Sequence, residues 1–417
     1  MTENEILPFD FEKVASQKII KVIGVGGGGG NAVKNMYKEG IHDVAFALCN
    51  TDVQALADSS IPTKVQLGEA GLGAGNNPEK AREEAEKSAS EIKKLFSDST
   101  KMVFVTAGMG GGTGTGASPV IARYAKEAGM LTVGVVTIPF RFEMKSKIEQ
   151  ALRGVNAIAD NVDALLVINN ERLLSIYPNL PINESFAKAN GILTTAVKSI
   201  AELVTVRGTI NLDFRDVEKV LKNGGVAVMS YGFGSGDHRV KDAIEEALHS
   251  PLLNDNDVFS SKKVLFNIYQ SPTSLLYTHE MDEINTFMDK FHNSNIEVIW
   301  GLAEDESLGD KVKITILATG FGLRNIPGLE KVAATNRPVE VKSVPEEPAV
   351  DVNPVVAPEE PVQSTDIDHV IRAVYGDRFY SFVFTDEELY DDALIEAVAK
   401  SPAHKRKNTD IEVLRKK

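Results

Sequence analysis

The sequence predicts an α/β fold in two parts, an N-terminal domain of alternating strands and helices and a smaller α+β domain with a mixed sheet, joined by a long central helix. Three observations predict it. Two short apolar strands, Ile19 to Val25 and Lys101 to Thr106, each run into a glycine-rich loop and then a helix. An apolar stripe at three- and four-residue spacing marks a helix over 183–205, and strands alternate with helices beyond it.

Composition bounds the function. A chain of 417 residues, 43% hydrophobic and 25% charged, has room for more than one globular domain. With 59 acidic and 45 basic residues the net charge is -14, which disfavours broad electrostatic binding to nucleic acid or anionic lipid. Cys49 is the single cysteine, so no intramolecular disulfide forms, as suits a reducing compartment. Residues 1–17 read as a polar extension without the basic start and apolar run of a signal peptide, and no window approaches a membrane span. The expectation is a soluble cytoplasmic protein with no nucleic-acid partner and no membrane insertion.

The first strand meets five glycines, Gly26 to Gly30, and Asn31 opens the next helix, a unit resembling a Rossmann-like dinucleotide fold. Without Cβ atoms such a loop approaches a ligand closely, and a helix N-terminus favours an anion. Val44 to Cys49 is the next strand. Asp52 beyond it lies near the spacing at which a dehydrogenase places its ribose-binding acid, so a nicotinamide-dependent oxidoreductase stands as an alternative, beside a nucleotide-binding scaffold without hydrolysis. Gly68 to Gly75 reads as a mobile surface loop before Asn76-Asn77-Pro78 and an amphipathic helix to about Phe96. The loop Gly108 to Gly116 is the second phosphate cradle, with Thr113 and Thr115 as hydroxyl donors and a helix from Ala117 to Ala128 that takes Pro119 in its first turn. The chain carries no Gly-x-x-x-x-Gly-Lys-[Ser/Thr] run, so this is not an ordinary P-loop. After the strand Leu131 to Thr137, Glu143 and Lys147 sit four apart, either an exposed salt pair or a carboxylate for ribose beside a cation for phosphate. Ala164 to Ile168 is another strand, ending at Asn169-Asn170.

Asn183 reads as the cap of the central helix, whose stripe is Phe186, Leu193, Val197, Ile200 and Val204. Asn190 within it is either a satisfied buried amide or, with Phe186 stacking, a reader of a purine edge. Asp213 and Asp216 bracket a helix start, as caps or as carboxylates that orient water or help hold a metal ion. The last part carries strands near Val226 to Ser230, Val264 to Tyr269, Glu297 to Gly301 and Val312 to Thr319, with helices near Arg239 to Leu248 and Thr278 to His292. Gly232 to Gly236 reads as a turn. Beyond Val332, prolines among acidic residues mark a solvated linker, in which Asp386 to Lys400 has amphipathic helical character, and Lys405 to Lys417 forms a basic tip suited to a partner groove, or an inert tail.

Gly26 to Asn31, the Gly-Gly-Gly-Thr-Gly-Thr-Gly run at 110–116 and Asn211-Leu-Asp-Phe-Arg-Asp-Val217, in that order, resemble the FtsZ family, the tubulin-like bacterial cell-division GTPases, over about residues 18–330. The resemblance implies a tubulin-like fold with a GTP-binding domain over 18–182, the central helix over 183–205, a GTPase-activating domain over 206–330, a linker over 331–402 and a partner-binding tail over 403–417. It implies GTP or GDP with Mg²⁺, held by Gly27, Gly28, Gly29, Gly30 and Asn31 and by Gly110, Gly111, Gly112, Thr113, Gly114, Thr115 and Gly116. Glu143 would contact ribose, with Lys147 beside it in place of the Arg of many family members, and Phe186 and Asn190 would contact guanine. Asn211, Asp213 and Asp216 would form a catalytic loop acting on nucleotide held by the next subunit. Assembly is then a head-to-tail homopolymer at the mid-cell division site. Membrane-tethering and regulatory division proteins would bind the tail, whose Asp410-Ile-Glu-Val-Leu-Arg415 lacks the family's proline and aromatic.

Overall fold

The computed structural model describes residues 18–322 apart from His42, Pro178, Arg207, 251–257 and 293–295. The expected extension at 1–17, linker and tail lie outside the described residues. The first half alternates strand and helix: β1 (Ile20–Val25), α1 (Gly26–Glu39), β2 (Val44–Asn50), α2 (Val53–Ala57), β3 (Thr63–Gln66), α3 (Pro78–Lys87), α4 (Ala89–Lys94), β4 (Met102–Gly108), α5 (Gly112–Glu127), β5 (Leu131–Ile138), α6 (Lys145–Ala159), β6 (Ala164–Asn169) and α7 (Asn170–Ile176). The long helix α8 (Ile182–Thr205) follows, then β7 (Gly208–Ile210), α9 (Phe214–Leu221), β8 (Gly225–Gly234), α10 (Arg239–Leu248), β9 (Lys263–Gln270), α11 (Met281–His292), β10 (Glu297–Glu304) and β11 (Val312–Phe321).

The strands form one eleven-stranded sheet in the order β3-β2-β1-β4-β5-β6-β8-β11-β9-β10-β7. From β3 to β6 every pair is parallel, and β1 is buried throughout, as expected of strands covered on both faces. β8 joins β6 in parallel, from Ala164 opposite Gly225 to Leu166 opposite Ala227, so the two halves share a sheet. Beyond it β11 runs antiparallel to β8 and β9, and β7 antiparallel to β10, giving the mixed character the sequence predicts.

One apolar core runs through both halves because α8 lies across them. Leu193, Val197 and Ile200 of its stripe pack with Val33 and Met36 of α1, Val133 of β5, Val217 of α9 and Met229 and Leu317 of the mixed part. In the mixed part, a buried ion pair ties the start of α10 to the turn before α11. Arg239 Nε donates to Glu280 Oε1 at 2.7 Å and its Nη2 to Oε2 at 3.1 Å, while Nη1 donates to Ser274 Oγ at 2.6 Å.

Several local expectations shift. α1 starts at Gly26 rather than Asn31 and α5 at Gly112 rather than Ala117, so both glycine runs are largely first helical turns and Pro119 lies inside α5. α8 starts at Ile182 with no side-chain cap, so Asn183 is a helix residue. Phe186 leaves the buried stripe and is 38% exposed. The helix expected to reach Phe96 breaks at Ser88, whose hydroxyl donates to Glu84 O at 2.9 Å and accepts from Gly68 N at 2.8 Å. Gly232 and Gly234 are strand residues rather than a turn, since α10 lies so close that a side chain on either would run into its backbone. A single 3-10 turn, Thr278–Glu280, precedes α11. β3, β7, α2 and α7 escape the sequence because a three- to seven-residue element carries too little periodicity.

Candidate functional site

In a doubly wound sheet, ligands bind outside the carboxyl ends of the strands where the strand order reverses. Here the reversal falls between β1 and β4, and these neighbours are the two strands that run into glycine loops. The loops touch backbone to backbone. A methyl on Gly28 would lie 3.1 Å from Gly108 Cα, and one on Gly114 would lie 2.5 Å from Gly108 O. One on Gly29 would overlap Thr106 O, and one on Gly116 would overlap Pro78 O. Gly29, Gly114 and Gly116 are therefore demanded by packing, while Gly28 sits close to Gly108 without overlap. Gly27 and Gly111 differ, because a methyl on either would meet no atom within 4 Å. They face the open crevice, where the first turns of α1 and α5 direct amide N–H groups that no helical carbonyl takes. Gly27, Gly28 and Asn31 are exposed and Gly30 is buried. Helix-start amides facing open space are suited to an anion.

The two threonines part company. Thr113 is half-buried and its Oγ1 lies 2.7 Å from Thr51 Oγ1 at the end of β2. Thr115 is 4% exposed and accepts from Gly110 N at 2.9 Å, so it braces the loop from inside instead of facing a ligand. Gly110 O accepts from Gln150 Nε2 at 3.1 Å. The loop over 68–77 is tied down rather than free: Val53 N donates to Gly71 O at 3.1 Å and Gly73 N to Thr51 O at 3.0 Å. It walls the crevice, since a methyl on Gly112 would stand 2.8 Å from Asn77 N. Asp52 Oδ1 accepts from Gln54 N and Ala55 N at 2.9 and 3.2 Å. It caps α2, as Asp does at a helix start, and that accounts for the acid on which the oxidoreductase alternative rested.

Beyond β5, Glu143 Oε1 accepts from Phe140 N at 3.0 Å, and Lys147 Nζ stands 3.5 Å from Glu143 Oε2. The salt pair is thus formed, at the mouth of the crevice. Phe186 packs edge-on to Phe140 with ring centroids 5.2 Å apart, which places the N-terminal part of α8 at the carboxyl end of β5. Asn35 of α1 donates to Thr194 Oγ1 at 3.1 Å, and Thr194 Oγ1 donates to Asn190 O at 2.9 Å. The exposed part of Phe186 therefore lies at the end of the sheet that carries the glycine loops, and half-buried Asn190 follows one turn further along α8, beside the third turn of α1. Thr51, Asn77 and Gln150 belong to this neighbourhood and were missed in the sequence, where no glycine pattern or period marks them.

The acidic loop lies elsewhere. Asn211 Oδ1 accepts from Gly208 N at 2.7 Å. Asp213 Oδ1 accepts from Arg215 N and Asp216 N at 2.7 and 3.1 Å, and Asp216 Oδ2 accepts from Asp213 N at 3.0 Å. The capping reading is thus realised, and it leaves Asp213 Oδ2 and Asp216 Oδ1 without a hydrogen-bond partner among the described residues. The loop follows β7, the far edge of the sheet, with six strands between it and β4. The separation is not a count of strand spacings, because α9 folds back over the sheet to pack against β9, β11 and β5. α9 then leads to Gly225, whose N–H donates to Asp163 O beside the amino end of β6. Asp213 thus caps a helix that leads to the amino end of β6, whereas the glycine loops stand at the carboxyl ends of β1 and β4.

Paired glycine loops at the switch point, a long helix across the core and a mixed half-sheet define a tubulin-type nucleotide-binding protein. A family model for the Tubulin/FtsZ family, GTPase domain, matches residues 19–178, and one for the FtsZ family, C-terminal domain, matches 225–322. The cell division protein FtsZ of Porphyromonas gingivalis is 48% identical over 97% of this chain and 89% of its own length. That of Pseudomonas aeruginosa is 41% identical over 75% of this chain and 80% of its own. The solved structure of an empty FtsZ dimer from M. jannaschii superposes with a TM-score of 0.67 at 38% identity, covering 75% of this chain and 92% of that one. GDP-bound CetZ1 from Haloferax volcanii, at 21% identity and a TM-score of 0.65 over 76% of this chain and 98% of its own, shares the fold. The chain belongs to the Tubulin/FtsZ family and is a cell-division GTPase that works as a polymer. Among the described residues no helix is long and apolar enough to cross a membrane.

Proposed function

We propose that this GTPase hydrolyses GTP at a site completed between subunits of a head-to-tail filament that builds the division ring at mid-cell. The observation that carries this reading is the separation of the open glycine cradle from Asp213 and Asp216 within one chain. Residues 18–182 act as the nucleotide domain, 183–205 as the connecting helix and 206–330 as the domain that presents the catalytic loop to the neighbour. Gly27, Gly28, Gly111 and the N–H groups of the first turns of α1 and α5 receive the phosphates, while Gly29, Gly30, Gly110, Gly112, Gly114, Thr115 and Gly116 shape the cradle. Thr113 and Asn31 stand at its edge. Phe186 stacks on guanine, Asn190 reads its polar edge and Glu143 takes ribose hydroxyls. Lys147 supplies a point charge where Arg would supply a planar fork.

Phosphoryl transfer to water depends mainly on positioning and charge stabilisation. Asp213 Oδ2 and Asp216 Oδ1 of one subunit orient and polarise water at the γ-phosphate on the next, and Asn211 holds the loop backbone through Gly208. Among the described residues no three His, Cys, Asp or Glu side chains group to hold a metal, so Mg²⁺ would come with the nucleotide and would supply neutralisation of the phosphate charge. Because one contact both assembles the site and joins the subunits, hydrolysis weakens the filament that made it. The tail at 403–417 recruits membrane-tethering and regulatory division proteins.

Sedimentation with GTP and with GDP, read together with phosphate release, tests the reading. GTP alone should drive both. Mixing Asp213→Asn with Gly27→Ala, each impaired alone, should raise turnover above the sum of the two through mixed interfaces. Full turnover by a strictly monomeric chain would sink the shared site.

A further inference from the structure

Gly110 carries the sharp turn of the second loop, with φ at +99°, and its peptide groups are gripped from two helices. Its N–H donates to Thr115 Oγ1 of α5 at 2.9 Å, and its carbonyl accepts from Gln150 Nε2 of α6 at 3.1 Å. The loop rests closely on the start of α6, since a methyl on Gly110 would lie 2.8 Å from Lys147 O. In a trans peptide the carbonyl and the following N–H point to opposite sides. Holding Gly110 O toward α6 therefore aims the Gly111 N–H away from α6, and at Gly111 a methyl would meet no atom within 4 Å. The peptide between these residues has no Cβ on either side, so rotating it is sterically cheap. Rotated, it would turn a carbonyl oxygen into the crevice, the wrong partner for an anion.

We propose that Gln150 is a positioning residue of the nucleotide site, locking the Gly110–Gly111 peptide so that the Gly111 N–H faces the phosphate chain. The inference rests on the placement of phosphates on the glycine loops proposed above. Gln150 lies outside the glycine signature and touches no nucleotide itself; it acts through the carbonyl it holds.

Gln150→Met fills the same space without a donor, and Gln150→Glu puts an acceptor against an acceptor. With the full chain below its assembly threshold, calorimetry should show GDP binding weakened about tenfold by Gln150→Met and further by Gln150→Glu, the scale of one charge-assisted hydrogen bond. Guanosine, which has no phosphate, should bind both variants as it binds the native chain. Equal GDP affinity in native and Gln150→Met chains would overturn the inference. So would a parallel loss of guanosine affinity, which would make Gln150 merely structural. A native chain that does not bind GDP would instead overturn the proposed phosphate site.

Discussion

Gly27→Ala should make the protein more stable and less able to bind nucleotide, while Gly116→Ala should make it less stable. Gly27 stands in the first turn of α1 and a methyl there meets nothing within 4 Å. Alanine in place of glycine within a helix is worth about 0.5–1 kcal/mol, so the fold should gain that much. The methyl instead occupies the space where a phosphate would approach the amides. Losing one N–H to a charged oxygen costs about 1.5–3 kcal/mol, or roughly tenfold to a hundredfold in affinity. Gly116 gains the same helical preference, but its methyl would overlap Pro78 O and stand 2.7 Å from Pro78 C, both backbone atoms that cannot rotate aside. α3 must move, and overpacking of that kind costs about 1–3 kcal/mol, which outweighs the gain. Urea unfolding of the three chains at equal slope, with GDP calorimetry on the same samples, reads both effects. A Gly27→Ala chain that unfolds at lower urea, or that binds GDP as tightly as the native chain, would refute the division of the glycines into packing and ligand-facing sets.

Asp213→Asn keeps a good capping side chain, so GTP binding and the urea midpoint should hold within about 0.5 kcal/mol while phosphate release falls by about a hundredfold or more; unchanged release would exclude Asp213 from the reaction. Arg239→Met removes the partner of buried Glu280 and should cost about 3 kcal/mol, measured by urea unfolding near neutral pH. The Arg239 hydrogen bond, against burial that would raise it, holds the Glu280 carboxyl below its ordinary 4.5. That stabilisation is complete above the ordinary value and lost as pH falls through the lowered one, so Arg239→Met should flatten the native loss of stability in acid, and equal acid slopes would reject it. Deleting residues 405–417 should leave GTP-dependent sedimentation at the native level and abolish binding to membrane-tethering partners; retained binding would place recruitment elsewhere.

The glycine signatures, the buried run of β1 and the stripe of Leu193, Val197 and Ile200 are local patterns, and each was legible in the sequence because a strand, a glycine turn or a helix face writes its own period into neighbouring residues. The family, and with it GTP hydrolysis, was legible for the same reason. The sequence did not tell which glycines face a ligand. That depends on what lies across from each one, and Gly29 and Gly116 meet backbone from distant segments while Gly27 and Gly111 meet open space. Nor did it show that Thr115 turns inward or Phe186 outward, or that Gln150 reaches Gly110. It also did not show that the loop of Asp213 leaves the edge strand β7 for a helix that leads to the amino end of β6, away from the glycine loops. Spacing along the chain determined what this protein is; only tertiary packing decided how its site is divided, because separation in space between distant segments leaves no period in the sequence.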